Sequence, residues 1–159
     1  MEFWGYKRPD GRYGIRNKVL ILPASVCASD TCRIASSQVE GTISIDNQAG
    51  CAQSPMDMQI TLDTIAGFAA NPNIYGTIAI ALGCDDLSID ILRSAIMERT
   101  NKPLETLVIQ ECGGTIKTVE KAHMYRRIMY CHIIIQRSVD CPRSKPQRDR
   151  KQAEHQQTS

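Results

Sequence analysis

Apolar, β-branched-rich residues gather in four short runs along the chain, and stretches of helical periodicity separate them. The runs are Lys18–Pro23, Gly41–Ile45, Thr77–Leu82 and Leu104–Gln110. Each is apolar on both faces, which is the pattern of strands buried in a parallel sheet. Helices are predicted over Ser29–Val39, Met56–Ala70, Asp85–Thr100 and Thr115–Tyr130. Ser29 or Asp30 is the cap candidate for the first, and Asp85, Asp86 or Ser88 for the third. Ile60, Leu62, Ile65 and Phe68 supply the apolar spacing of the second helix, and Leu87, Ile91, Leu92 and Ile96 that of the third.

Strand and helix alternate with short connections. The predicted class is therefore α/β: a parallel sheet with helices on both faces, an α/β sandwich of Rossmann-like type. Ligands of such sheets bind past the carboxyl ends of the strands. Those positions carry Cys27 after the first strand, Asn47, Gln48 and Cys51 after the second, Cys84 and Asp85 after the third, and Glu111, Cys112, Gly113, Gly114 and Thr115 after the fourth. A Cys in all four turns and a Gly in three make a polar, thiol-rich crevice. Thiolate, carboxylate and amide donors together suit a divalent transition metal such as Fe or Zn. Gly113-Gly114-Thr115 opens a helix whose N–H groups can cradle an anion. The bland alternative is that glycines make tight turns and cysteines fill small gaps.

Charge changes the picture at one end only. The net charge of the 159 residues is +2. Residues 1–135 carry 13 Lys and Arg against 14 Asp and Glu, while residues 136–159 carry 6 against 3. The expected organisation is an α/β lobe over 1–135 and a basic, disordered tail over 136–159. A lobe without a basic face is not expected to bind nucleic acid, and contact of the tail with an acidic partner stays a minor alternative. No apolar run approaches the length of a membrane span, and no convincing signal peptide precedes the first strand. A cytoplasmic protein with no membrane partner is the expectation. Seven cysteines contain no Cys-x-x-Cys pair, which argues against a zinc ribbon or a thioredoxin-like site.

The segment Tyr6–Asn17 holds a turn at Pro9-Asp10-Gly11, flanked by Arg8, Arg12 and Arg16. It reads equally as an exposed loop or as three guanidinium groups reaching over the crevice to a substrate carboxylate.

With Phe3-Trp4-Gly5 before it, this segment resembles the start of the catalytic portion of the altronate and galactarate dehydratases. Asn47-Gln48-Ala49-Gly50-Cys51, Asn71-Pro72-Asn73-Ile74-Tyr75-Gly76, Leu82-Gly83-Cys84, Ile109-Gln110-Glu111 and Gly113-Gly114-Thr115 follow in that family's order. The resemblance implies a hydro-lyase that dehydrates D-altronate or a similar hexonate or hexarate to a 2-keto-3-deoxy acid, with Fe(II) or another divalent metal. It implies Cys51 and Cys84 as metal ligands and Glu111, Asp85 and Asn47 as catalytic groups. Substrate would be held by Arg8, Arg12, Arg16, Gln48, Gly113, Gly114 and Thr115. Family chains are far longer, and the match fades near Lys121. A truncated chain is therefore expected, acting alone, by self-association, or with a second chain that supplies the missing lobe. A non-catalytic remnant and a sulfolactate sulfo-lyase-like carbon–sulfur lyase are the alternatives.

Overall fold

The computed structural model describes residues 5–139. The expected disorder of the tail concerns residues that, from 140 onward, lie outside the described ones. Inside them, helix runs on to Val139, four residues past the expected lobe boundary.

Four parallel strands form the central sheet: β3 (Lys18–Pro23), β4 (Thr42–Ser44), β5 (Ile74–Ala81) and β6 (Leu104–Val108), in the spatial order β4-β3-β5-β6. Leu20 aligns with Ile43, Ile21 with Ile78, and Ala79 with Thr106. A small antiparallel hairpin, β1 (Tyr6–Lys7) and β2 (Tyr13–Gly14), precedes the sheet. The helices are α1 (Val26–Ser37), α2 (Pro55–Ala70), α3 (Ile89–Arg99), the single turn α4 (Ile109–Cys112) and α5 (Thr115–Val139).

Strand alternation divides the core in two. Val19, Ile21, Ile78, Ile80 and Leu107 point to one face, where α1 and α5 cover them with Ala28, Cys32, Ala35, Val119, Ala122 and Met129. Leu20, Leu22, Ala79 and Ala81 point to the other, under Leu62, Ile65, Ala66 and Ala69 of α2 and Leu92 and Ile96 of α3. Helices thus cover both faces of a doubly wound sheet, as the alternation predicts.

The order places a topological switch point between β3 and β5. The chain leaves β3 towards β4 on one side and leaves β5 towards β6 on the other. The crevice of such a sheet opens past the carboxyl ends of those two strands.

Three details differ from the sequence reading. Ile109 and Gln110 do not extend the last strand but begin the turn α4. Helix α1 starts three residues early, at Val26, with Ser25 in the cap position. Ile60, Phe68 and Ile91 are exposed rather than inward. On α2 the inward face is built largely of Ala66, Ala69 and Ala70, which let the helix lie close to the sheet and turn the larger Ile60 and Phe68 outward.

At the amino edge of the sheet Lys102 is buried, and its Nζ donates to the carbonyls of Asn71 (2.6 Å) and Ile74 (3.1 Å). Burial, with Arg8 and Arg12 acting the same way, holds its pKa down from 10.5 to about 8. The folded state therefore releases this proton before the unfolded chain does. Stability is expected to rise as pH climbs from about 8 to about 10.5, and to sit at its lower level below that window. Denaturant midpoints across this range check it: the rise relative to neutral pH should shrink in Lys102→Met.

No helix among the described residues is long and apolar enough to cross a membrane.

Candidate functional site

The crevice is built by backbone first. At the switch point the chain leaves β3 through Ala24 and Ser25, and the Ala24 N–H donates to the Ile80 carbonyl (2.8 Å). Beside it the chain leaves β5 through Leu82 and Gly83. Asp85 closes this turn. Its Oδ2 accepts from the backbone N–H groups of Leu82 (2.7 Å) and Gly83 (3.0 Å), and its Oδ1 accepts from the Ser25 hydroxyl. Ser25 is buried and Asp85 half-buried. The Asp85 carboxylate is thus committed on both oxygens, tying the β5 turn to the β3 turn.

Asn47 does the same work on the other side. Its Nδ2 donates to the Ala24 carbonyl (3.0 Å), and its Oδ1 accepts from the Ala49 N–H (2.9 Å). The Ser29 hydroxyl donates to the Asn47 carbonyl at 3.2 Å. The Val26 N–H in turn donates to the Ala49 carbonyl (2.8 Å). Asn47 therefore fastens the loop after β4 to the turn after β3 through both ends of its amide.

That loop carries Gln48 and Cys51, both exposed. Beyond Cys51, Ala52 adopts φ +65°, and its N–H donates to Asp86 Oδ2 (2.8 Å). A left-handed alanine is an uncommon conformation that surrounding bonds must hold. Here Asp86 holds it, so the loops bearing Cys51 and Cys84 are coupled.

The fourth wall comes from β6. The Gln110 N–H donates to the Leu82 carbonyl (3.1 Å), and the Gln110 side chain lies across Gly83. Gly83 has φ +121°, and a Cβ there would fall 2.7 Å from Gln110 Oε1 and 3.0 Å from Val108 Cγ1. Gly83→Ala is expected to lower stability by about 1–3 kcal/mol, through backbone strain and the displaced Gln110. Denaturant unfolding with an unchanged m-value would register it.

After α4, Gly113 and Gly114 take left-handed backbone and lead into α5. The Thr118 N–H is the first of α5 to bond back, to Gly114. The amides of Thr115, Ile116 and Lys117 lie in the first turn, where helix geometry leaves N–H groups without intrahelical partners. Such an end favours anions. Lys117 doubles back over Gly113, its Nζ 3.4 Å from where a Gly113 Cβ would stand. Glu111 is exposed on α4 and makes no hydrogen bond or ion pair among the described residues.

The structure thus brings Asn47, Gln48, Cys51, Cys84, Asp85, Glu111, Gly113, Gly114 and Thr115 to one edge of the sheet. It does not bring Arg8, Arg12 and Arg16 there. These stand at the opposite, amino edge, against the Asn71–Asn73 turn that precedes β5. Arg8 is 4% exposed. Its Nε donates to the Pro72 carbonyl (2.7 Å), its Nη1 to Asn17 Oδ1 (2.7 Å) and its Nη2 to the Arg16 carbonyl (2.9 Å). Arg12 pairs with Asp10 (2.6 Å) and donates to the Ala70 carbonyl (2.8 Å), and this pairing lowers the Asp10 pKa. The exposed Arg16 offers its backbone, its N–H donating to Asn73 Oδ1 (3.1 Å). The first two guanidinium groups are occupied in holding the hairpin down.

The cysteines divide as well. Cys27, Cys51 and Cys84 are exposed, whereas Cys112 and Cys32 are buried, and burial pushes the Cys32 thiol far up. Among the described residues, no group of three His, Cys, Asp or Glu side chains is placed to hold a metal ion. Asp85 and Asn47 already hold the neighbouring turns. The donors present therefore do not by themselves fit the Fe(II) or other divalent metal implied by the resemblance.

Two residues that the sequence reading did not select belong to this edge. Ser25 looks like an ordinary cap residue in sequence, and only the β3–β5 adjacency puts it on Asp85. Gln110 reads as the end of a strand until α4 turns it over Gly83.

The family profile described as D-galactarate dehydratase/altronate hydrolase, second domain, matches residues 5–133. The chain is similar to the (2R)-sulfolactate sulfo-lyase subunit beta of Chromohalobacter salexigens, with 30% identity over 113 residues, 70% of this chain and 28% of that protein. It is also similar to the altronate dehydratase of Escherichia coli, with 22% identity over 135 residues, 78% of this chain and 27% of the relative. The Bacillus subtilis altronate dehydratase is 24% identical over 120 residues, 68% of this chain and 24% of the relative. The chain thus spans about a quarter of the length of these relatives. No solved structure matches.

Proposed function

The chain belongs to the D-galactarate dehydratase/altronate hydrolase second-domain family, and from that premise we propose that it forms the sugar-acid-binding lobe of a hydro-lyase. The substrate in this reading is D-altronate or a similar hexonate or hexarate, and the product a 2-keto-3-deoxy acid. One observation carries it. The turns after all four parallel strands converge at one edge, where an uncommitted carboxylate, Glu111, stands beside the start of α5.

The roles follow from which groups are free. The first-turn amides of α5 and the Lys117 ammonium receive the substrate carboxylate. Glu111 takes the proton from the carbon α to that carboxylate. The electron pair of that C–H bond forms a C=C bond, the β-hydroxyl takes the proton now held by Glu111 and leaves as water, and the enol so formed tautomerises to the keto acid. Asp85 and Asn47 are positioning residues that hold the turns in register. Gln48 and Gln110 are available to the substrate hydroxyls.

The same elimination with sulfite as leaving group is a second reading, favoured by the 30% identity to a sulfo-lyase subunit. That relative's designation as subunit beta also favours a second chain as partner in catalysis.

The test is direct. Titrating the chain with D-altronate should shift the backbone amide resonances of Gly113–Lys117, and Glu111→Gln should leave that binding intact. With a second chain supplied, Glu111→Gln should abolish turnover. (2R)-Sulfolactate in a parallel titration discriminates the second reading. No shift with either compound would sink both and leave a non-catalytic remnant.

A further inference from the structure

The two helical layers carry opposite charge. Helices α2 and α3 hold four carboxylates, Asp57, Asp63, Asp90 and Glu98, against Arg93 and Arg99, a net of −2. On the other face of the sheet, α5 holds five Lys and Arg against Glu120 alone, a net of +4. Its neighbour α1 adds only Arg33 and Asp30, which pair with each other at 2.6 Å.

Each layer also presents an apolar feature to solvent. Between α2 and α3 lies a groove of about 440 Å³, lined by Leu62, Ile91 and Ala95 with Asp90 and Glu98 beside them. Ile91 is 48% exposed there. Asp63 also lines the groove but is paired with Arg99, whereas Asp90 and Glu98 make no ion pair among the described residues. Across the molecule, Met124 and Ile128 of α5 are 51% and 50% exposed. They stand one turn apart, on the side of the helix turned away from the buried Val119, Ala122 and Met129. Lys121 and Arg127 are exposed on the same side and make no ion pair among the described residues. Two apolar side chains with two cations form a ridge. The proposed elimination uses none of these groups.

Ridge and groove match in shape and in charge. A helix ridge seated in a groove between side chains is the ordinary way helices pack. Eight residues separate Asp90 from Glu98, about 12 Å along α3, and six separate Lys121 from Arg127, about 9 Å along α5. Long Lys and Arg side chains span that difference. A ridge against its own copy sets cation on cation, and a groove against its own copy sets carboxylate on carboxylate. Such like-charge juxtaposition costs several kcal/mol. We propose that the basic ridge of α5 in one copy of this chain docks in the acidic groove between α2 and α3 of a second copy. The two surfaces lie on opposite faces of the sheet, so the contact is heterologous. Each added copy keeps one ridge or one groove free, and the assembly grows as an open row. This contact does not require the sugar-acid reading to hold.

Sedimentation velocity of the full chain across a wide concentration range tests it. The average mass should rise beyond that of a dimer as concentration increases, and the rise should weaken as salt screens the charges. Lys121→Glu with Arg127→Glu, and separately Asp90→Lys with Glu98→Lys, should each weaken self-association about tenfold or more. Far-UV circular dichroism checks that both stay folded. The decisive arm mixes the two. Each double variant has ridge and groove of like sign and stays monomeric alone. The mixture offers the intact groove of the first to the intact ridge of the second, and association should return. The proposal is overturned if the unaltered chain stays monomeric throughout, or if the mixture does not associate. It is equally overturned if either folded variant associates as tightly as the unaltered chain, which for the α5 pair would point to the basic residues 136–159 instead. A monomer that pellets with phosphatidylglycerol vesicles overturns it too and assigns the ridge to an anionic surface.

Discussion

Asp85→Ala is expected to destabilise the fold by about 3 kcal/mol and to erase sugar-acid binding at the crevice. The carboxylate accepts from Ser25, Leu82 and Gly83 at once. Hydrogen bonds to a charged group contribute about 1.5–3 kcal/mol each, and three that share one acceptor group do not add fully. Truncation leaves the Ser25 hydroxyl and two turn amides without their acceptor at the switch point between β3 and β5. Asp85→Asn should cost far less, about 1 kcal/mol. Its amide oxygen can face the two backbone N–H groups, and its NH₂ can donate to the Ser25 hydroxyl oxygen, which then reverses its role. The pair of variants separates two roles for this residue. A positioning residue tolerates the isosteric change in turnover as well as in stability. A general base would lose turnover in Asp85→Asn while the protein stayed fully folded. Denaturant unfolding reads the stability, and the turnover assay with the second chain supplied reads the role.

That distinction also shows where sequence reading reached its limit. Lys18–Pro23 is a strand from end to end because its apolar residues serve both cores, and a run apolar on both faces has few other uses. Ser88 caps α3 through its hydroxyl, which accepts from Ile91 at 3.3 Å, as its place before a periodic stretch suggests. Catalytic-looking chemistry was legible as position but not as commitment. Asp85 and Asn47 do stand past strand ends, yet their polar atoms are spent on neighbouring turns, and that depends on which strands lie side by side. By its place after a strand Cys112 belongs with three exposed thiols, Cys27, Cys51 and Cys84. The turn α4 rotates it inward, and no local pattern signals that rotation. The arginines show the same limit from the other direction. A turn sequence with flanking cations does not reveal which edge of the sheet it lies against, since that is decided sixty residues later by Asn71–Asn73.

For that amino edge the strongest expectation concerns Arg8. Arg8→Met should destabilise the fold by about 3 kcal/mol and release the hairpin, because the carbonyls of Pro72 and Arg16 and the amide oxygen of Asn17 lose a charged donor together. Burial lowers the Arg8 pKa, so holding this cation inside already carries a desolvation cost, which the three acceptors offset. Lysine offers one nitrogen where the guanidinium aims three, so Arg8→Lys should recover less than half of the loss. Packing raises the stake. Gly14 of β2 sits so close to the Asn71–Asn73 turn that a Cβ would lie 2.0 Å from the Pro72 oxygen, which leaves the hairpin one seat and no adjacent alternative. Arg12→Ala is the control. Its ion pair with Asp10 lies at the surface and it gives the hairpin one further bond, to the Ala70 carbonyl, where Arg8 gives three, so its loss should cost about 1 kcal/mol. Limited trypsin digestion makes the difference visible. Cleavage after Lys7 or Arg16, the sites that all three proteins share, should be slow in the unaltered chain and in the control, and fast in Arg8→Met while the central sheet is still folded. Equal cleavage rates in all of them would mean that the hairpin is held by something other than this guanidinium.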